Sequence, residues 1–135
     1  MSNRRYAIVG GRPPKQLASK ADLIHFEQIL QHVRTFVSSL PDDAIVISGG
    51  ADGVDDAAAQ AARTRGLLVV EHLPDYKKYS GKLAPLIRNK LIVDDCDVLV
   101  AFPAPWSIGT WHAIWLAKNA TKEVDVRQIE IAVEA

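Results

Sequence analysis

The chain has 135 residues, 48% hydrophobic and 24% charged, with 16 basic and 16 acidic side chains and zero formal net charge. That length suits one domain with a buried core, and the charge balance argues against a strong footprint for duplex DNA, which usually draws a basic face. The single cysteine excludes an intrachain disulfide and a thiolate-built zinc site, and no segment reaches the roughly 20 apolar residues of a membrane span or resembles a signal peptide.

Along the chain, short apolar runs alternate with amphipathic stretches. Tyr6 to Val9 reads as a buried strand stopped at Gly10-Gly11, followed by an Arg12-Pro13-Pro14 loop. Ser19 with Asp22 resembles a capping box, and Leu23, Phe26, Leu30, Val33 and Val37 recur at helical spacing, so residues 20–40 are expected as a helix ended by Pro41. Ala44 to Ser48 is a second strand ending in Gly49-Gly50, and an alanine-rich helix runs from Gly53 to Gly66. Leu67 to Val70 is a third strand, and a polar loop from Asp75 to Gly81 carries Tyr76 and Tyr79. Pro85 suits the first turn of a helix reaching about Asp94. Val98–Phe102, Ile108–Asn119 and Glu123–Val126 complete the pattern as strand, helix and strand, and the alternation from Gln128 to Val133 suggests a further edge strand.

This alternation predicts one α/β domain over residues 1–135: a Rossmann-like, doubly wound parallel sheet of about five strands in the order 3-2-1-4-5, with helices on both faces. In that order the first and fourth strands are neighbours, and ligands of open α/β sheets bind outside the carboxyl ends of strands at that switch point. The glycine clusters after strands one and two, and Gly109-Thr110 after strand four, all fall there.

Ser48-Gly49-Gly50-Ala51-Asp52-Gly53-Val54-Asp55 leads from a strand into a helix, where glycines and a helix N-terminus can seat a phosphate. Asp52 or Asp55 is read either as a helix cap or as a ribose contact. The loop before Gly109 and Thr110 offers Ser107 and backbone amides as a second anion cradle. Arg12 can pair with a phosphate or stay solvated, and Arg88-Asn89 are either site residues or a helix-surface pair. His112 is a candidate acid, base or ribose contact, and Glu71 has the spacing of a ribose-binding acid. Cys96 reads as a half-buried packing thiol, and His25, His32 and His72 suggest no metal site. Lys77, Lys78, Lys82, Arg88 and Lys90 are able to form a local basic patch. The helix with Trp111 and Trp115 is apolar nearly all round, so it should be buried on both sides, one by the sheet and the other by a partner copy.

Taken together, Val9-Gly10-Gly11-Arg12, Ser48 to Asp55, Arg88-Asn89, Asp97 to Pro103 and Gly109-Thr110 resemble the SLOG superfamily, nearest to its YspA/cpYpsA-related proteins. The resemblance implies a Rossmann-like domain that binds nucleotides or nucleotide-derived ligands, often as a homo-oligomer such as a dimer. Lonely Guy proteins of that superfamily are phosphoribohydrolases with a PGGxGTxxE motif. Gly109-Thr110 match its GT, but Ser107 stands for the second glycine and Ala113 for the catalytic glutamate. DprA proteins, which bind single-stranded DNA, are similar around Ser48-Gly49-Gly50, Gly53 and Asp55.

The leading expectation is therefore a cytoplasmic sensor or accessory protein for a nucleotide-type ligand such as AMP, ADP-ribose or an NAD-like molecule, with no obligatory cofactor and no metal. One alternative is a nucleoside-monophosphate N-glycosidase using Asp52, Asp55 or His112. Another is a single-strand binder stacking bases on Tyr76 and Tyr79.

Overall fold

A computed structural model describes residues 3–15 and 18–131. Its elements follow in the order β1 (Arg5–Gly10), α1 (Lys20–Ser38), β2 (Ile45–Ser48), α2 (Val54–Thr64), β3 (Leu68–Glu71), α3 (Ala84–Asp95), β4 (Val98–Phe102), α4 (Ile108–Asn119) and β5 (Glu123–Val126). The five strands form one sheet in the order β3-β2-β1-β4-β5, with every pair parallel. This is the expected Rossmann-like topology.

The period of two along each strand divides the core between two layers. Ile8, Val46, Val98, Val100 and Phe102 point to one face and pack with Ile29, Val33 and Val37 of α1 and Ala58 and Ala62 of α2. Ala7, Val9, Ile45, Ile47, Leu99 and Ala101 point to the other and meet Ile92 and Val93 of α3 and Ala113, Ile114 and Ala117 of α4. Alanines let α2 and α4 approach the sheet closely, and β1 and β4 are buried on both faces, as central parallel strands must be. Ser19 caps α1 by accepting the Asp22 amide at 3.1 Å, and α1 ends before Pro41, which cannot continue it. Pro85 lies in the first turn of α3.

α4 lays its Thr110–Ala113–Ile114–Ala117 stripe on the sheet as expected, and within the single chain its other side is open, with Ile108 88% exposed, Trp115 60% and Trp111 44%. Two expectations are corrected here. Cys96 is buried rather than half-buried; burial pushes its thiol up to about 11, and its Sγ–H donates to Val93 O at 3.4 Å. The tail is no sixth strand over 128–131. One further rung, Arg127 N to Ala101 O at 2.8 Å, ends the ladder, after which Ile129 folds against the core and receives a hydrogen bond from His25. Ala132 and Val133 lie outside the described residues.

Candidate functional site

A cavity of about 240 Å³ opens at the carboxyl ends of β1 and β4, between α3 and the start of α4. Eight of the residues singled out from the sequence line it: Gly10, Arg12, Asp55, Arg88, Asn89, Ser107, Gly109 and Thr110. A second hollow of about 360 Å³ adjoins it over the end of β2, lined by Gly49, Gly50, Asp52, Leu73, Pro74 and Tyr76. The two hollows share Arg12, Ala51 and Arg88. Together they fall within the roughly 300–1,000 Å³ of small-molecule sites.

Gly11, Ser48 and Gly53 stand behind the wall, and their work is to close the protein on itself. A side chain on Gly53 (φ 93°) would lie 2.4 Å from Gly11 O, where the start of α2 crosses the end of β1. That crossing is tied by Val54 N donating to Gly11 O at 3.1 Å. The Ser48 hydroxyl donates to Asp55 O at 3.4 Å and accepts the Gly50 amide at 3.1 Å. Gly109 differs from these: beyond its own helix backbone and chain neighbours, a Cβ there would meet no atom of the described residues within 4 Å.

The amides of the Gly49–Ala51 turn are already engaged. Ala51 N donates to Asp55 Oδ2 at 3.3 Å, the Gly49 amide also serves that carboxylate, and Gly50 N goes to Ser48. Asp55 thus sits as an internal anion in the cradle that the sequence suggested for a phosphate. Neither Asp52 nor Asp55 caps α2, whose N-cap is Gly53 without a side-chain bond. Burial pushes the Asp55 carboxyl up to about 6, against the pull of Arg88, the Ala51 amide, Arg12 and the Gly49 amide.

Arg88 and Asn89 are buried, not a surface pair, because α3 turns this face onto the ends of β1 and β2. Arg88 Nη1 donates to Gly49 O and Nε donates to Asn89 Oδ1 at 3.2 Å. Asn89 Nδ2 donates to Gly109 O at 3.3 Å and reaches His112 Nδ1 at 3.1 Å. With its oxygen fixed by Arg88, the amide is a donor toward His112, which leaves the imidazole proton on Nε2. His112 itself does not line the cavity. Desolvation lowers the Arg88 guanidinium from its usual value, and Asp55 opposes this.

α4 begins at the cavity with no side-chain cap, since Ser107 Oγ turns back to accept Ala104 N at 2.8 Å. Its positive end therefore opens on the same space as Arg12 and Arg88. Ala113, fully buried, also lines the cavity, so no carboxylate projects from that turn of α4.

Several other readings change. The proposed basic patch divides: Arg88 is in the site, Lys90 pairs with Asp94 at 2.9 Å, and Lys78 lies over the Tyr79 ring. Glu71 pairs with Arg63 and lines neither hollow. His72 Nε2 joins Asp95 at 2.8 Å, beside Arg5. Among the described residues, no group of three or more His, Cys, Asp or Glu side chains is placed to hold a metal. No helix among them is long and apolar enough to cross a membrane. Leu73 and Pro74 were not anticipated; their signal was an apolar–proline step directly after β3.

Topology and site together define a Rossmann-like domain with the SLOG-superfamily fold. The solved structures agree. TM1055 superposes with a TM-score of 0.63 at 25% identity, over 90% of this chain and 72% of that one. DNA processing protein A from Streptococcus pneumoniae gives 0.64 at 18% identity, over 96% of this chain and 52% of that one. The Helicobacter pylori protein of that name, solved for its single-stranded DNA binding mode, gives 0.63 at 18%, over 95% and 66%. The chain thus spans about half the length of the first DNA processing protein and just under two thirds of the second. No protein-family model matches the chain. The gene 61 protein of Mycobacterium phage D29 is 36% identical over 123 residues, 87% of this chain and 90% of that protein. The chain belongs to the family of that phage protein.

Proposed function

We propose that this protein binds a nucleotide or nucleotide-derived ligand through its phosphate, at the cavity between α3 and the start of α4. The observation that carries this reading is the buried guanidinium of Arg88. It lies with Arg12 beside the uncapped end of α4, and among the described residues it has no ion-pair partner within 4 Å. Asp55 offsets part of the cost of its burial without forming a direct salt bridge, so the guanidinium can still receive an anionic guest. Asp55 is the cavity's own carboxylate, and Ala113 adds none, so binding is better supported than N-glycosidic cleavage.

Titration with AMP against adenosine tests the reading. AMP should raise the melting temperature and adenosine should not. Gly109→Val, whose Cβ meets no atom of the described residues beyond its own helix turn, should keep the fold and lose the shift. An equal shift with adenosine, or an undiminished one in Gly109→Val, refutes the phosphate site.

Single-stranded nucleic acid is a second reading, favoured by the fold shared with the DNA processing proteins and by Tyr76 beside the second hollow. This leans against the expectation, drawn largely from the neutral net charge, that nucleic acid is not the partner. Binding of a labelled oligonucleotide that weakens as salt rises would support it. The exposed Ile108–Trp111–Trp115 stripe supports self-association through α4. Trp115→Lys should then shift sedimentation toward the monomer.

A further inference from the structure

We propose that the ligand carries its phosphate between two nucleoside units, held at Arg12 and Arg88, rather than at one end. The inference rests on the phosphate site argued above and concerns where the charge lies along the molecule that fills it.

Arg12 and Arg88 belong to both hollows, so the positive charge stands at the waist between them. Arg88 is only 6% exposed, yet its Nη2 makes no hydrogen bond, whereas Nη1 and Nε hold Gly49 O and Asn89. Among the described residues every buried side-chain nitrogen and oxygen has a partner. An unpartnered Nη2 therefore keeps some accessible surface, and of the three hollows that Arg88 lines the two at the strand ends also hold Arg12, so an anion at their shared wall would satisfy it. Away from the waist each hollow has an apolar wall. The first is walled by Pro85, Leu86 and Ile92, and the second by Leu73, Pro74 and Tyr76, with Leu73 63% and Tyr76 56% exposed.

Asp52, which also lines the second hollow, repels a terminal phosphate there but accepts hydrogen bonds from sugar hydroxyls. An AMP molecule with its phosphate at the waist fills one hollow and leaves the other empty. A molecule with a bridging phosphate fills both and gains a second base, for which Tyr76 offers a stacking face. Two sources share this chemistry: the phosphodiester of a nucleic-acid strand and the pyrophosphate of a dinucleotide.

Calorimetric titration of the whole chain with AMP, with the phosphodiester adenylyl-adenosine and with diadenosine pyrophosphate separates them. At least one bridged compound should bind roughly tenfold more tightly than AMP, the gain of about one base–aromatic stack. The arm that shows the gain names the source. In Tyr76→Ala the ratio to AMP should fall close to one. Equal affinity for AMP and both bridged compounds, or a ratio unchanged in Tyr76→Ala, overturns the inference while AMP binding leaves the phosphate site standing. Binding of none of the three overturns both.

Discussion

Replacing Asp55 with asparagine should flatten the dependence of stability on pH between about 6 and 4. The carboxylate is buried behind the Gly49–Ala51 turn, and desolvation lifts it from 3.8 to about 6. The folded protein therefore holds the proton more tightly than the unfolded chain does. Stability contributed by this group rises as pH falls through 6 and is complete below 3.8. At neutral pH, where both states are ionised, the charged form costs the fold roughly 3 kcal/mol relative to the protonated one. Asparagine has no proton to gain, so that slope should vanish. The rise in stability at pH 7 should be smaller than 3 kcal/mol, because the new NH₂ group faces amides that the carboxylate had accepted. Asp95 acts in a different window: the bonds from His72 and Arg5 hold its carboxyl below the usual value despite burial, so its contribution is lost only as pH falls below 3.8. Urea unfolding of both proteins at pH 7.0, 5.5 and 4.5 gives the measurement. A wild-type slope that survives in Asp55→Asn would refute the placement of that cost on Asp55.

Three further outcomes follow from the packing. Arg88→Met should lower stability by about 1.5–3 kcal/mol per charged hydrogen bond lost, read in the urea midpoint, since Gly49 O and Asn89 Oδ1 both lose their donor. Gly10→Val should fail to fold, because a Cβ there stands 2.5 Å from Phe102 O and 2.7 Å from the Val54 methyls; Gly109→Ala should change stability by less than about 1 kcal/mol. Circular dichroism melts of the pair check the contrast. Cys96, buried and pushed up to about 11, should resist a thiol reagent in the native protein and react fully in urea; fast native labelling would contradict its burial.

Sheet order was legible because it follows from local signals that agree. Apolar runs of strand length, the first, second and fourth stopped directly by glycine or proline and all separated by a helical period, admit few right-handed arrangements. The position of the crevice was legible for the same reason, since parallel strands bring all their carboxyl ends to one edge. What each glycine does there was not. Gly10 and Gly53 look alike as ligand cradles in the chain, yet Gly10 lines the cavity and Gly53 does not, and both also let β1, β4 and the start of α2 touch. Whether the neighbouring amides are free depends on where Asp55 folds back, a contact four residues long that spacing cannot distinguish from a helix cap.

By itself, then, the sequence determined the alternation, the strand order and the edge at which a ligand would bind, because periodicity and turn chemistry are local. Only the tertiary structure decided that Arg88 and Asn89 face inward and that α4 turns its tryptophans outward. Only it decided that the cations stand between two hollows. Those facts depend on how far each helix is rotated against the sheet. That rotation is set by the packing of side chains from strands distant in the chain.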